Sequence, residues 1–236
     1  MKRWQILDQA RGLAILLMIG FHFCFDLDQL FHVIDINIKT DPFWTGLRSL
    51  ILSIFILIAG ISLTLSTHNR PGLAQHLKKQ KWLAVCALLV SLGTFFMFPE
   101  SWIYFGVLHF ILLARIVCYT CPNYFVLNIF LGLLILAIGL SWASPVFDPK
   151  WINWVGLSAH KPFTEDYVPI FPWLGIFLFG IFAGRLLFLV AQHLAGAQIS
   201  PFAWLNSFLD RLGRNSLSIY MLHQPIMISI LYLILG

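Results

Sequence analysis

Within DQARGLAILLMIGFHFCF (residues 8–25), an arginine and a histidine are separated by ten uncharged residues. In a helix, eleven steps of about 100° return to within roughly 20° of the start, so Arg11 and His22 share one stripe, about 16 Å apart along the axis. Asp26 follows His22 by one turn on the same face, where a carboxylate can orient an imidazole and raise its basicity. An ionisable residue deep in an apolar helix is costly and marks a functional site by default. Such a set suits general-base or nucleophilic acyl transfer, or a proton relay. It also fits a blander arrangement, in which Arg11 snorkels to the headgroups and His22 is hydrogen-bonded within a bundle.

Two further apolar stretches carry the same kind of residue. FGVLHFILLAR places His109 in mid-run and Arg115 at its end, and RNSLSIYMLHQP brings Asn215, His223 and Gln224 onto one segment. Asp28 and His32 lie where the first run gives way to a polar loop. Several other chemistries are excluded: there is no GxGxxG, no GxxxxGK[ST], no HExxH and no GxSxG. No set of histidines is spaced to hold a metal on one helix. Cys24, Cys86, Cys118 and Cys121 read as buried or interfacial thiols, and the CYTC pair has no second pair to complete a zinc site.

The elements that must position these residues are membrane helices. The chain has 236 residues, 59% hydrophobic and 11% charged, whereas a soluble domain carries about 25% charged residues. The expected fold is all-α, a polytopic transmembrane bundle of about seven spans near 11–28, 43–66, 82–98, 101–119, 124–142, 168–190 and 215–235. The third and fourth spans should form a tight hairpin about Pro99 and Glu100, and the Pro172–Trp173 step should kink the sixth. Gly175, Gly180 and Gly184 read as close helix contacts. The stretches 145–160 and 198–210 are semi-apolar and open to an interfacial reading. With the N-terminus inside, eleven of the fifteen lysines and arginines face the cytoplasm and eight of the ten acids face out. That split favours N-inside and C-outside. The net charge of +5 is therefore a topology signal and not a nucleic-acid footprint. No polar linker or repeat divides the chain, so residues 1–236 read as one integral-membrane domain.

The first-span stretch LDQARGLAILLMIGFHFCFDL resembles the opening helix of the bacterial heparan-alpha-glucosaminide N-acetyltransferase-like family. Its arginine–histidine spacing is that of the wider superfamily of membrane acyltransferases that acetylate envelope glycans. FILIAGISL, FGVLHFILLARI, FPWLGIFLFGIFAGR and LGRNSLSIYMLHQPI look like the same family in the same order. The resemblance implies transfer of an acetyl group from cytoplasmic acetyl-CoA to an amine or hydroxyl of a glycan or glycolipid across the bilayer, in a bacterial inner membrane. Asp8, Arg11 and His22 match the first-helix motif. In animal members the position of His22 is an asparagine and the catalytic histidine lies further along, where His32 is the nearest here. Which of His22 and His32 is the base stays open on the sequence; the candidate catalytic residues are His22, Asp26, His32 and His109, with Arg11, Arg115, Asn215 and His223 toward the coenzyme. A homodimer is compatible with this reading. The alternative from another class is a small proton-coupled transporter with a histidine relay.

Overall fold

Backbone amides that cross hydrocarbon have no water to bond, so long apolar runs must satisfy them internally as helices. The computed structural model describes residues 4–67, 72–191 and 203–235. Lys2, Arg3 and Arg70, which entered the charge split, and the first part of the 198–210 stretch lie outside the described residues. Eight α-helices run through the described chain: α1 (Gln5–Gln29), α2 (Pro42–Thr67), α3 (Leu73–Met97), α4 (Val107–Val117), α5 (Phe125–Ser141), α6 (Ile170–Ala191), α7 (Ala203–Arg214) and α8 (Ser216–Leu235). No β-strand occurs among the described residues. Five of these helices, α1, α2, α3, α6 and α8, are long and apolar enough to cross a membrane. The protein is an all-α membrane bundle. The other two expected spans are shorter: α4 has 11 residues and continues into a 3-10 turn over Cys118–Asn123, and α5 has 17.

The described residues group into two units, Met1–Phe55 with Gly196–Gly236, and Ile56–Ala195. In the first, α1 lies along α7 so closely that a Cβ on Gly12 would sit 2.8 Å from the Leu209 carbonyl carbon. Only glycine permits that approach. The core of this unit gathers Ile15, Met18 and Phe21 of α1, Ile38 of the following loop and Ile51 of α2. Asp28, 5% exposed, closes that loop by accepting the backbone N–H of Ile36 (2.8 Å) and of Ile38 (3.3 Å).

In the second unit, α6 packs against the end of α2 and against α5. A Cβ on Gly180 would meet the Gly60 Cα at 3.1 Å, and one on Gly184 would meet the Ile61 Cα at 3.0 Å. Gly175 approaches the Gly132 carbonyl in the same manner, at 2.7 Å for its Cβ. The glycines of α6 are helix contacts, as their spacing indicates. Thr64 donates across this contact to the Ile181 carbonyl at 3.0 Å. The kink falls at Phe171, whose ψ of 130° is extended just before Pro172.

Two local expectations change. α4 begins at Val107, not 101, because residues 101–106 find partners elsewhere: the Ile103 N–H donates to Thr94 Oγ1 (3.0 Å) and the Ile103 carbonyl accepts from Ser91 (2.7 Å). The tight hairpin at Pro99–Glu100 is thereby replaced by a longer connection. Residues 145–160 form two short 3-10 turns, Pro145–Phe147 and Asn153–Val155, and no interfacial α-helix. Asp148, bonded to His160 at 2.8 Å, ties that connection together, and this contact holds its carboxyl below the usual carboxylate range. Of the stretch 198–210, the residues from 203 onward enter α7.

Candidate active site

His22 lies in the second half of α1, and its ring turns back along its own helix. Nδ1 is 2.9 Å from the Met18 carbonyl. A carbonyl only accepts, so Nδ1 carries the proton and Nε2 carries the lone pair. Side chains on a helix tilt toward its N-terminus, which takes the ring toward residue 18 and away from residue 26. Asp26 was expected to orient His22 and does not hold that hydrogen bond. It reaches across to α8, where Gln224 Nε2 donates to Asp26 Oδ1 at 2.7 Å.

That bond brings α8 against α1 at the depth of the histidine. His223, next to Gln224, lies edge-on to His22, with ring centroids 5.0 Å apart and planes at 78°. Its Nδ1 is 2.7 Å from the Tyr220 carbonyl, so the same argument places the proton on Nδ1 and the lone pair on Nε2. Three polar atoms of this cluster are buried without a hydrogen-bond partner among the described residues: Asp26 Oδ2, His223 Nε2 and Gln224 Oε1. Unmade hydrogen bonds of this kind cost about 1–3 kcal/mol each, so a group of them calls for a reason. Asp26 itself is 1% exposed.

One turn into α1, Asp8 and Arg11 form an ion pair at 2.7 Å, with side-chain exposures of 3% and 27%. Asp8 thus anchors the guanidinium while leaving part of it open. At the other end of the helix, His32 is exposed in a left-handed conformation (φ 52°), and its Nδ1 donates to the Asp28 carbonyl at 3.2 Å. It borders an open cleft of about 410 Å³ lined by Asp28, Gln29, His32, Asp35 and Asn37. Asn215 is exposed at the α7–α8 joint, with its Nδ2 on the Arg211 carbonyl at 2.9 Å.

His109 and Arg115 belong to the second unit and have partners there. Gly106 N–H donates to His109 Nδ1 at 3.3 Å, which leaves the ring proton on Nε2 to bond Ser91 Oγ at 3.0 Å. Ser91 passes its own hydrogen to the Ile103 carbonyl, so the chain of bonds is consistent throughout. His109 Nδ1 caps the start of α4 and Nε2 ties it to Ser91 of α3, so both ring nitrogens are occupied. Arg115 Nε donates to Gln80 Oε1 at 2.8 Å, and its carbonyl accepts from the buried His76 at 2.9 Å. Among the described residues no group of histidines, cysteines and carboxylates is placed to hold a metal ion.

Gln80 was not singled out from the sequence, and Gln224 was named there only as the neighbour of His223, since neither has a local pattern that names its distant partner. The Asp8–Arg11 pair does have one, the i, i+3 spacing on a helix.

A helical membrane protein that keeps two imidazole lone pairs and a buried carboxylate inside its apolar core is equipped to move protons or acyl groups there. Residues 3–225 match the family model for the catalytic part of heparan-alpha-glucosaminide N-acetyltransferase. The chain belongs to that family and is a membrane acetyltransferase. No curated protein and no solved structure matches it.

Proposed function

We propose that the protein takes an acetyl group from acetyl-CoA at the cytoplasmic face and delivers it to an amine or hydroxyl of a glycan or glycolipid at the outer face of a bacterial inner membrane. His22 is the base. The observation that carries this reading is the tautomer of His22: its Nδ1–H is held by the Met18 carbonyl, so Nε2 offers a lone pair at a fixed position in the helix. As the acceptor attacks the thioester carbonyl, Nε2 takes the acceptor's proton, the tetrahedral adduct collapses and the coenzyme thiolate leaves. If Nε2 attacks first, the same lone pair forms an acetyl-imidazole that the acceptor then resolves.

Arg11, anchored by Asp8, is the phosphate ligand assigned to the first unit, because a partly exposed guanidinium offers forked donors to an anion. Arg115, steadied by Gln80, is a second candidate and is tested by itself. His109 steadies α4 and takes no part in the chemistry, since both its nitrogens are already bonded.

Membranes containing the protein are incubated with radiolabelled acetyl-CoA, and label is followed into lipid and glycan fractions. Transfer should be lost in His22→Gln while coenzyme binding by the purified variant persists. Retained transfer in His22→Gln with loss in His32→Gln would move the base to the exposed loop.

A further inference from the structure

We infer that His223 is a proton-relay residue for His22, receiving the proton that His22 removes from the acceptor. The inference rests on the reading of His22 as the base. It starts from an imbalance in the α1–α8 cluster: the unpartnered atoms there are all acceptors, and no donor among the described residues faces them. A buried imidazole that has just become an imidazolium carries a charge poorly tolerated in an apolar helix. The ring beside it is His223, at 5.0 Å between centroids, and its Nε2 is a buried lone pair with nothing bonded to it.

The tautomers make the direction definite. In the resting site both rings hold their proton on Nδ1, against Met18 and Tyr220 respectively. Once His22 Nε2 is protonated, the relay we infer runs through one water between the two rings, whose centroids are 5.0 Å apart. His22 Nε2–H gives its proton to that water, and the water gives one of its own hydrogens to His223 Nε2. His22 returns to its starting tautomer and His223 becomes the imidazolium, protonated on both nitrogens. The departing thiolate balances the charge until the proton reaches it or the aqueous phase. Gln224 Oε1 and Asp26 Oδ2 are unpaired acceptors on the same two helices, and the Tyr220 carbonyl already holds the opposite ring edge.

The arrangement separates two kinetic events. The first acetyl transfer needs only His22, whereas repeated turnover needs the proton cleared. We therefore compare wild type with His223→Gln, which keeps the bulk of the ring, and His223→Ala, which leaves room for added imidazole. Each is purified in detergent and checked for monodisperse elution. With enzyme in excess over labelled acetyl-CoA, the single-turnover rate of both variants should fall far less than their steady-state rate. Steady-state turnover should fall by about 10²-fold, the lower end of the range for a general acid–base group. Added imidazole should restore the steady-state rate of His223→Ala and leave His223→Gln unchanged. A parallel loss of single-turnover and steady-state rates without imidazole rescue would make His223 a packing residue and overturn the relay. Wild-type rates in both regimes would overturn it as well. His22→Gln is run alongside: full single-turnover activity in that variant removes the base and the relay together, whereas an inactive His22→Gln beside an unimpaired His223→Gln removes the relay alone.

Discussion

Arg11→Ala should destabilise the protein more than Asp8→Asn, although both break the same 2.7 Å ion pair. The asymmetry follows from exposure: the Asp8 side chain is 3% exposed and that of Arg11 is 27%. Removing the arginine leaves a carboxylate in the α1–α7 contact without this counter-charge, which costs about 3 kcal/mol, the lower end for breaking a buried pair. Replacing the carboxylate by an amide keeps a hydrogen-bond acceptor of the same shape and leaves an arginine that can turn to water, so the cost is about 1 kcal/mol. Both residues make further contacts, and the double variant separates these from the pair, with an expected coupling of roughly 1–2 kcal/mol. The assay is denaturant unfolding of the detergent-purified variants, followed by tryptophan fluorescence. An Arg11→Ala loss no larger than that of Asp8→Asn would refute the reasoning. The same two variants separate anchoring from binding. Arg11→Ala should raise the KM for acetyl-CoA about 10- to 150-fold, the equivalent of a charge-assisted contact of roughly 1.5–3 kcal/mol, while Asp8→Asn, which keeps the guanidinium, should raise it less.

Gly180→Ala should cost about 1–3 kcal/mol, because its Cβ would meet backbone atoms of α2 that cannot yield; thermal unfolding should show the loss. Gly20→Ala, where a Cβ meets nothing within 4 Å, should be neutral or gain up to about 1 kcal/mol in the same scan. A reporter fused after residue 236 should be accessible from outside the cell, and one inserted between residues 70 and 81 should be cytoplasmic; the reverse pattern would invert the assigned orientation. The Asp148 carboxyl should titrate below the usual carboxylate range by NMR, and His160→Ala should return it toward that range. Since the folded value is the depressed one, the contact's contribution is present above the ordinary carboxylate pKa and is lost as pH falls through the lowered value.

What could be read from the chain alone was whatever depends on neighbours in sequence. The apolar runs of α1, α2, α3, α6 and α8 could be read, because span length and composition are local properties. So could the kink before Pro172 and the close approach of the α6 glycines. The start of α4 could not, because its first turn is decided by Thr94, Ser91 and Asp166, which compete for the backbone of 101–107 from other segments. In the candidate site, the arginine–histidine stripe and the presence of His223 were legible, but the partners were not. Asp26 sits at the right spacing for His22, and spacing says nothing of Gln224 waiting on α8. The tilt of helix side chains toward the N-terminus does point His22 at residue 18, a geometric rule that outranks the charge argument for residue 26.

The use of a main-chain carbonyl to choose the tautomer has an evolutionary consequence. In a helix every residue past the first turn has a carbonyl one turn behind it, so the orienting partner of a histidine is already present at nearly any position. A base of this type can arise by a single codon change, with no second acid to be acquired in step. It can be lost and regained as easily, or moved by a turn along the span. Within the family, the residue that does the chemistry is then freer to migrate than the helices that surround it.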